Sequence, residues 1–329
     1  MKNHISLFIF AIALLSGPVS ANDLSMTAVK DTLASIPGEH NYIYVRTPLG
    51  EDEEKNYDEI TFYDGLGREL DFAQSYGADR AGAIMAHHHL IEYDSLGRKE
   101  KQWLSTNTSF SYMSPEDLKG GVLWDYHDAG KRSYLQTNYE SSPLNRITEQ
   151  YGVGDAWGDH PARMEYLTNI PADSLRCSFY FIDDNDSLIR RGDYRSGELQ
   201  VTKATDEDGR PTYTFVDKQG RTLLTRLGRG NQQADTYFVF DRFGRIRYVL
   251  PPMINDEISA GNLDLYAYQY LYDSFGRCIS KKLPSCAAIR YVYDKADRVI
   301  LSQNGNQSQK KEWTFTFYDN QGRLALTGL

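Results

Sequence analysis

Along much of the chain polar and apolar positions alternate with a period of two. Tyr266, Tyr268, Tyr270 and Tyr272 are interleaved with Ala267, Gln269 and Leu271, and Trp313, Phe315 and Phe317 with Thr314 and Thr316. Such alternation sends successive side chains to opposite faces of a sheet, and aromatic and β-branched residues suit a pleated, half-buried surface. Both stretches predict β-strands with an aromatic face. Asn41-Tyr42-Ile43-Tyr44-Val45-Arg46 reads as a further strand. Helical patterning is scarce. Residues Ser25 to Ser35 form a candidate short helix that Ile36-Pro37-Gly38 stops, because proline ends helical hydrogen bonding. Ser114-Pro115-Glu116-Asp117-Leu118 could open another, but Gly120-Gly121 follows at once and predicts no more than a turn.

Several of the predicted strands end in the same hexamer. The clear copies are Tyr63-Asp64-Gly65-Leu66-Gly67-Arg68, Tyr93-Asp94-Ser95-Leu96-Gly97-Arg98, Tyr272-Asp273-Ser274-Phe275-Gly276-Arg277 and Tyr318-Asp319-Asn320-Gln321-Gly322-Arg323. Weaker copies are Phe240-Asp241-Arg242-Phe243-Gly244-Arg245, Tyr293-Asp294-Lys295-Ala296-Asp297-Arg298, Val216-Asp217-Lys218-Gln219-Gly220-Arg221 and Thr205-Asp206-Glu207-Asp208-Gly209-Arg210. An aspartate can accept bonds from main-chain N–H groups two or three residues ahead, and glycine supplies the positive φ that closes a hairpin. Asp and Gly are thereby read as the geometric residues, Tyr as the end of the incoming strand and Arg as the start of the outgoing one. The arginine can lie across an aromatic ring or pair with the aspartate. Asp297 stands where the other copies have glycine, and aspartate is among the few residues that tolerate that conformation. Repetition at irregular intervals predicts a stacked array, in which each unit packs mainly on its neighbours.

Composition narrows the class. Lys2, the apolar run Ile5 to Leu15 and the sequence Ser16-Gly17-Pro18-Val19-Ser20-Ala21 have the order of a secretory signal peptide, with the mature chain starting near Asn22. The run is shorter than the roughly 20 residues that cross a bilayer, so no membrane span is expected. Export to the periplasm, the cell surface or the medium follows. Only 3 Cys occur in 329 residues, which argues against a disulfide framework. Cys278 and Cys286 could meet across a turn or remain separate thiols, and Cys177 is left over either way. The net charge of -9, with Lys and Arg dispersed among the turns, argues against nucleic acid as a partner. The 24 Tyr outnumber the 14 Phe and 4 Trp together, as suits faces that are packed yet reach polar partners through hydroxyls.

The hexamers, which run from Tyr63 to Arg323, resemble the YD repeats of RHS proteins, a family that includes bacterial polymorphic toxins, shell-forming subunits of insecticidal toxin complexes and animal teneurins. The resemblance implies an all-β fold, a ribbon of β-hairpins that spirals as an open sheet into part of a hollow shell, often around a toxic C-terminal segment. A second resemblance is local. The first two hexamers, Lys101-Gln102-Trp103-Leu104, Ser142-Pro143-Leu144-Asn145-Arg146, Gly154-Asp155-Ala156-Trp157 and Glu165-Tyr166-Leu167-Thr168-Asn169 are similar, in that order, to the uncharacterised domain that opens many RHS proteins of Bacteroides-like bacteria. Together these imply residues 1–21 as signal peptide, 22–56 as an N-terminal segment with the short helix and a strand, 57–175 as an RHS N-terminal-type β domain and 176–329 as the YD-repeat ribbon. Family members are often far longer, so the expectation is a partial member: the first part of a longer shell, or a subunit completed by another chain.

Candidate chemistry is thin. His87 and His89 share a strand face, but zinc needs three or four ligands and nothing nearby clearly supplies the rest. Glu51-Asp52-Glu53-Glu54-Lys55 and Asp183-Asp184-Asn185-Asp186 lack the central glycine of a calcium loop and read as a solvated loop and a hairpin tip. Gly152-Val153-Gly154 followed by Gly158 opens no helix of the kind that cradles a pyrophosphate, and reads as a turn. There is no Gly-x-Ser-x-Gly elbow and no His-Glu-x-x-His pair. The expectation is a non-enzymatic structural protein without cofactor or metal, whose partner is a polypeptide: cargo such as a toxin, or the rest of the shell. The alternative is a surface module that binds glycan or protein through exposed aromatic rows, and a secreted enzyme with a site assembled from distant residues is the third class.

Overall fold

A computed structural model describes residues 41–49, 56–75, 85–229 and 232–329. The candidate signal, the Ser25 to Ser35 helix and the Glu51 to Lys55 loop lie outside those residues. The chain divides into two compact units between Ala162 and Arg163.

In the first unit β1 (Asn41–Pro48), β2 (Asn56–Tyr63), β3 (Glu69–Ser75) and β4 (Met85–Tyr93) form an antiparallel meander. The first half of β4 pairs with β6 (Thr106–Ser109), its second half with β5 (Lys99–Trp103). From β5 the sheet continues to β7 (Tyr134–Tyr139) and β8 (Ile147–Tyr151). Alternation puts Ile60 and Phe62 of β2 on one face, where they pack with Ala73, Ala86 and Phe110 beneath the rings of Tyr42, Tyr44 and Tyr112. Each large apolar side chain buried this way contributes on the order of 1.5–3 kcal/mol.

A helix, α1 (Pro115–Asp125), runs straight through the two glycines that predicted only a turn. Ser114 caps it by accepting from Asp117 N at 3.1 Å, and Pro115 sits where no intrahelical N–H is needed. Leu118 and Val122 are buried. The glycine rule failed because a tertiary contact requires Gly121: a Cβ there would stand 2.7 Å from Thr106 Oγ1, so the helix can lie against β6 only without one.

In the second unit β9 (Ala162–Thr168) pairs with β12 (Gln200–Thr205), and antiparallel neighbours follow: β13 (Pro211–Val216), β14 (Thr222–Arg229), β15 (Gln232–Phe240), β16 (Ile246–Leu250), β17 (Tyr268–Tyr272), β18 (Cys278–Lys282), β19 (Ile289–Tyr293), β20 (Val299–Gln303), β21 (Thr314–Tyr318) and β22 (Leu324–Gly328). A separate pair, β10 (Ser178–Ile182) with β11 (Leu188–Asp193), packs on this sheet, with Tyr180 4.9 Å from Tyr237 between ring centroids. The core lies there: Cys177, Leu199, Val201, Phe215, Leu224, Val239, Leu250 and Ile254 are among its buried members. Arg226 is also buried. Asp235 accepts its Nε and Nη2 at 2.7 and 2.6 Å, and the carbonyls of Ser174 and Arg176 accept Nη1 at 2.9 and 2.8 Å, which compensates the buried charge and ties the loop before β10 to the sheet.

Beyond Ala267 no hydrophobic side chain among the described residues is buried. There β17 to β22 form one layer, broken by the short helix α3 (Gly305–Lys310). The tyrosine row expected from Tyr266 starts two residues later, because Tyr266 closes a helix, α2 (Ala260–Tyr266), capped by the Ser259 hydroxyl. The strand proper is Tyr268–Tyr272.

Candidate functional site

The hexamers build the feature that sets this chain apart. At Tyr63–Arg68, Asp64 N donates to Arg68 O at 2.8 Å and Gly67 N to Asp64 O at 3.0 Å, with Gly67 at φ +76°. Asp64 Oδ1 accepts from Leu66 N at 2.8 Å and Arg68 N at 2.9 Å, and Oδ2 accepts from Arg68 Nε at 2.6 Å. The register slips by one residue as Tyr63 pairs with Glu69. This is a type I turn followed by a left-handed residue and a bulge, which matches the twist of the flanking strands. The same side-chain bonds recur at Asp94, Asp217, Asp241, Asp273, Asp294 and Asp319.

Six of the arginines do both things open to them. While bound to its own aspartate, each lies over the ring that ends the next strand. Arg68 covers Tyr93 at 4.5 Å and Arg98 covers Tyr139 at 4.7 Å in the first unit. In the second, Arg221 covers Phe240 at 5.0 Å, Arg245 covers Tyr272 at 4.8 Å, Arg277 covers Tyr293 at 5.1 Å and Arg298 covers Tyr318 at 4.8 Å. The strand registers, continued to the turns, place each arginine opposite its ring. Tyrosine hydroxyls close the junction from the other side: Tyr93 donates to Glu69 O at 2.8 Å, Tyr139 to Lys99 O at 3.0 Å, Tyr293 to Cys278 O at 2.8 Å and Tyr318 to Val299 O at 3.0 Å. Arg98, Arg245 and Arg277 also reach forward through Nη1 to the carbonyls of Glu140, Asp273 and Asp294. Ring, guanidinium and carboxylate thus form a ladder along one edge of each sheet.

Two members depart from the sequence reading. The Thr205–Arg210 copy forms its turn, but it joins β12 to β13 on the edge opposite the Asp217 turn, where no ring waits. Arg210 pairs with Asp208 at 3.2 Å and stays exposed. Conversely, Tyr139 to Arg146 is a ladder turn that the hexamer pattern does not find. Glu140 replaces aspartate, the turn is longer, and Asn145 takes the left-handed position at φ 54°. Arg146 donates Nε and Nη2 to Glu140 at 2.7 and 2.6 Å. An aromatic residue, an acid and an arginine in order, with an asparagine before the arginine, is the signal that would have revealed it.

The electrostatics favour ionised turns. The Arg68, Arg298 and Arg323 main-chain N–H groups, then their guanidinium groups, hold Asp64, Asp294 and Asp319 below the ordinary 3.8. At Asp94, Asp241 and Asp273 burial acts against this, and the same donors outweigh it. The Arg146 guanidinium and the Ser142 hydroxyl bring Glu140 from 4.5 to about 2. Both oxygens of these carboxylates accept bonds within their own turns. Asp297, in glycine's place at φ 60°, accepts from Arg277 Nη1 at 2.9 Å and so joins the ladder.

The other candidates resolve differently. His88 is buried between Asp71 Oδ2 at 2.6 Å and Ser109 O at 3.0 Å, while His87 is exposed and His89 lies 6.2 Å from the Phe72 ring centroid. Among the described residues no three His, Cys, Asp or Glu side chains converge as a metal site. Asp183 forms a turn tip, accepting from Asn185 N and Ser187 N, and Asp186 is held by Arg247. Asp155, after Gly154, accepts from Lys131 N and Arg132 N at 3.2 and 3.0 Å. Cys177, Cys278 and Cys286 are free thiols. No helix among the described residues is long and apolar enough to cross a membrane.

This arrangement defines an all-β hairpin ribbon, and comparison with known proteins agrees on the fold. Residues 41–168 match the family described as a domain of unknown function, DUF6443. The crystal structure of TcdB2-TccC3-Cdc42 superposes with a TM-score of 0.56 at 15% identity over 88% of this chain and 13% of that one. TcdB2-TccC3 without its hypervariable C-terminal region gives 0.56 at 13% identity, over 92% of this chain and 14% of that one. At such identities the likeness is one of fold, and the chain spans only about an eighth of those proteins' length. No curated protein matches the chain.

Proposed function

We propose that this protein is a non-enzymatic segment of a β-ribbon wall that encloses or presents a polypeptide. The observation that carries the reading is the layer from β17 to β22, which has strands, turns and a ladder but no buried apolar side chain. A self-sufficient domain buries one face of its sheet against a second layer. A wall leaves both faces accessible and relies on neighbouring hairpins, and TcdB2-TccC3 supplies the fold precedent. The polypeptide is cargo such as a toxin, or a further part of the wall. Export belongs to the same proposal, supported by Lys2, the Ile5 to Leu15 run and the small residues up to Ala21.

Purification from the native host, followed by sedimentation and limited proteolysis, tests it. The expected result is a second polypeptide in fixed proportion, protected from protease, and a mature N-terminus near Asn22. A monomeric, empty chain that stays soluble and unfolds cooperatively at high concentration would sink the wall reading. Glycan binding lost on Tyr268→Ala, with folding intact, would replace it by a surface lectin-like module.

A further inference from the structure

Among the described residues, Arg323 leaves a rung of the ladder open. The covered arginines are between 15% and 36% exposed at the side chain, Arg98 being the most buried and Arg298 the least. Arg323 forms the same bond to Asp319 at 2.7 Å, yet it is 74% exposed and no ring among the described residues lies over it. The strand it opens, β22, pairs only with β21 among the described residues. Leu324 and Leu326 on that strand are 63% and 56% exposed, and Phe317 beside them is 61% exposed. Unpaired edge groups, an uncovered guanidinium and an apolar strip therefore coincide.

We infer that the β22 edge is a docking site for one antiparallel β-strand of another hairpin that ends in a tyrosine. The strand pairs with β22, its tyrosine ring covers Arg323, and its hydroxyl donates to Leu324 O. The occupant is specified by continuity with the interface already present. At β18–β19 and β20–β21 the arriving strand ends in Tyr293 or Tyr318, whose ring covers the arginine that opens the preceding strand and whose hydroxyl binds the carbonyl of the next residue. Main-chain pairing at a sheet edge supplies affinity, and the side chain at the strand's end supplies register.

The inference deepens the wall reading and rests on it for the identity of the occupant. The test uses the full chain and a cyclised synthetic hairpin of this protein's residues 289–303, labelled for fluorescence anisotropy. The expected result is saturable binding, with slowed amide exchange confined to β22 and its turn. A Tyr293→Ala hairpin should bind at least about 5-fold more weakly, since 5-fold is the scale of a partly exposed cation–π contact and the hydroxyl bond is lost with the ring. Arg323→Ala protein should lose about 5-fold toward the unaltered hairpin, and should bind the Tyr293→Ala hairpin little more weakly than the unaltered protein does, because the ring–guanidinium contact is already absent. Absence of binding with unchanged β22 exchange, equal binding of both hairpins, or self-pairing of β22 edges in sedimentation would overturn it. Failure of the wall is distinguishable: a hairpin that obeys the rule on a chain that shelters no polypeptide leaves the docking site standing, whereas a sheltering chain whose β22 amides ignore the hairpin does not.

Discussion

Asp241→Ala and Asp319→Ala remove the same side chain from the same kind of turn, and their comparison isolates what the ladder contributes. Asp241 accepts from Phe243 N at 2.9 Å, Arg245 N at 3.0 Å and Arg245 Nε at 2.7 Å. Its side chain is buried, and Arg245 reaches on to the Tyr272 ring and Asp273 O. Three bonds to a carboxylate at a net of roughly 1 kcal/mol each, because water partly replaces them, predict a loss of about 3 kcal/mol. Asp319 makes the same three bonds, but its arginine is open to solvent and covers no ring. Exposed pairs of that kind add little, because water and salt screen them. Asp319→Ala should therefore cost clearly less than Asp241→Ala, the excess at Asp241 being set by the shielded arginine and the junction beyond it. The excess should appear as a larger drop in the urea midpoint at unchanged slope for Asp241→Ala, and as faster amide exchange in both β16 and β17. Equal losses in the two variants, or exchange that rises in β16 alone, would show that each turn stabilises only itself and would refute the ladder as a coupling device.

Acid should loosen the ribbon. Asp64, Asp294, Asp319 and Glu140 titrate lower in the folded chain than their ordinary 3.8 and 4.5, so the stability they confer is complete above those values and is lost as pH falls through the folded ones; circular dichroism with urea between pH 5 and pH 2 should show a falling midpoint, and a rising one would contradict the sign. In α1, Gly120→Ala meets nothing within 4 Å and should stabilise by up to about 1 kcal/mol, whereas Gly121→Ala meets Thr106 Oγ1 at 2.7 Å and should destabilise, a contrast read from thermal melts. Tyr293→Phe keeps the ring over Arg277 and loses only the bond to Cys278 O, so it should cost about 1 kcal/mol, while Tyr293→Leu loses the ring as well and should cost more in the same urea titration.

The hairpin ribbon was legible in the sequence because its determinants are local. An aspartate, a glycine and an arginine within six residues close a turn by themselves, and period-two alternation declares the strands around it. What lay beyond reach was long-range. The sequence permitted an arginine over a ring or on its aspartate, but not the finding that it takes both and that the ring belongs to the next turn, since Tyr139 follows Arg98 only after β5, β6, a helix and the loops between them. The Thr205–Arg210 turn has the right letters, yet the odd number of strands between it and the Asp217 turn puts it on the other edge. Glu140 hid a real rung by being one methylene longer in a longer turn. Gly121 misled because its small size serves a neighbour, Thr106, that no local rule sees.

The two kinds of support in this chain are distributed unevenly, and that bears on how the ribbon works. From β12 to β16 the sheet rests on a core shared with β10 and β11, and Arg226 fastens the intervening loop. From β17 onward that layer is gone, yet the Asp273, Asp294 and Asp319 turns keep the same geometry to within a few tenths of an ångström in their aspartate bonds. Turn geometry is therefore independent of the core. A stack held by junctions between neighbours can extend without adding a hydrophobic layer, which is what a thin wall requires. It also means that each junction must be favourable on its own: strand pairing, one ring over a guanidinium and one hydroxyl bond have to offset the ordering of each added hairpin. The alternation of tyrosine and arginine along the edge meets that condition with a contact that tolerates water.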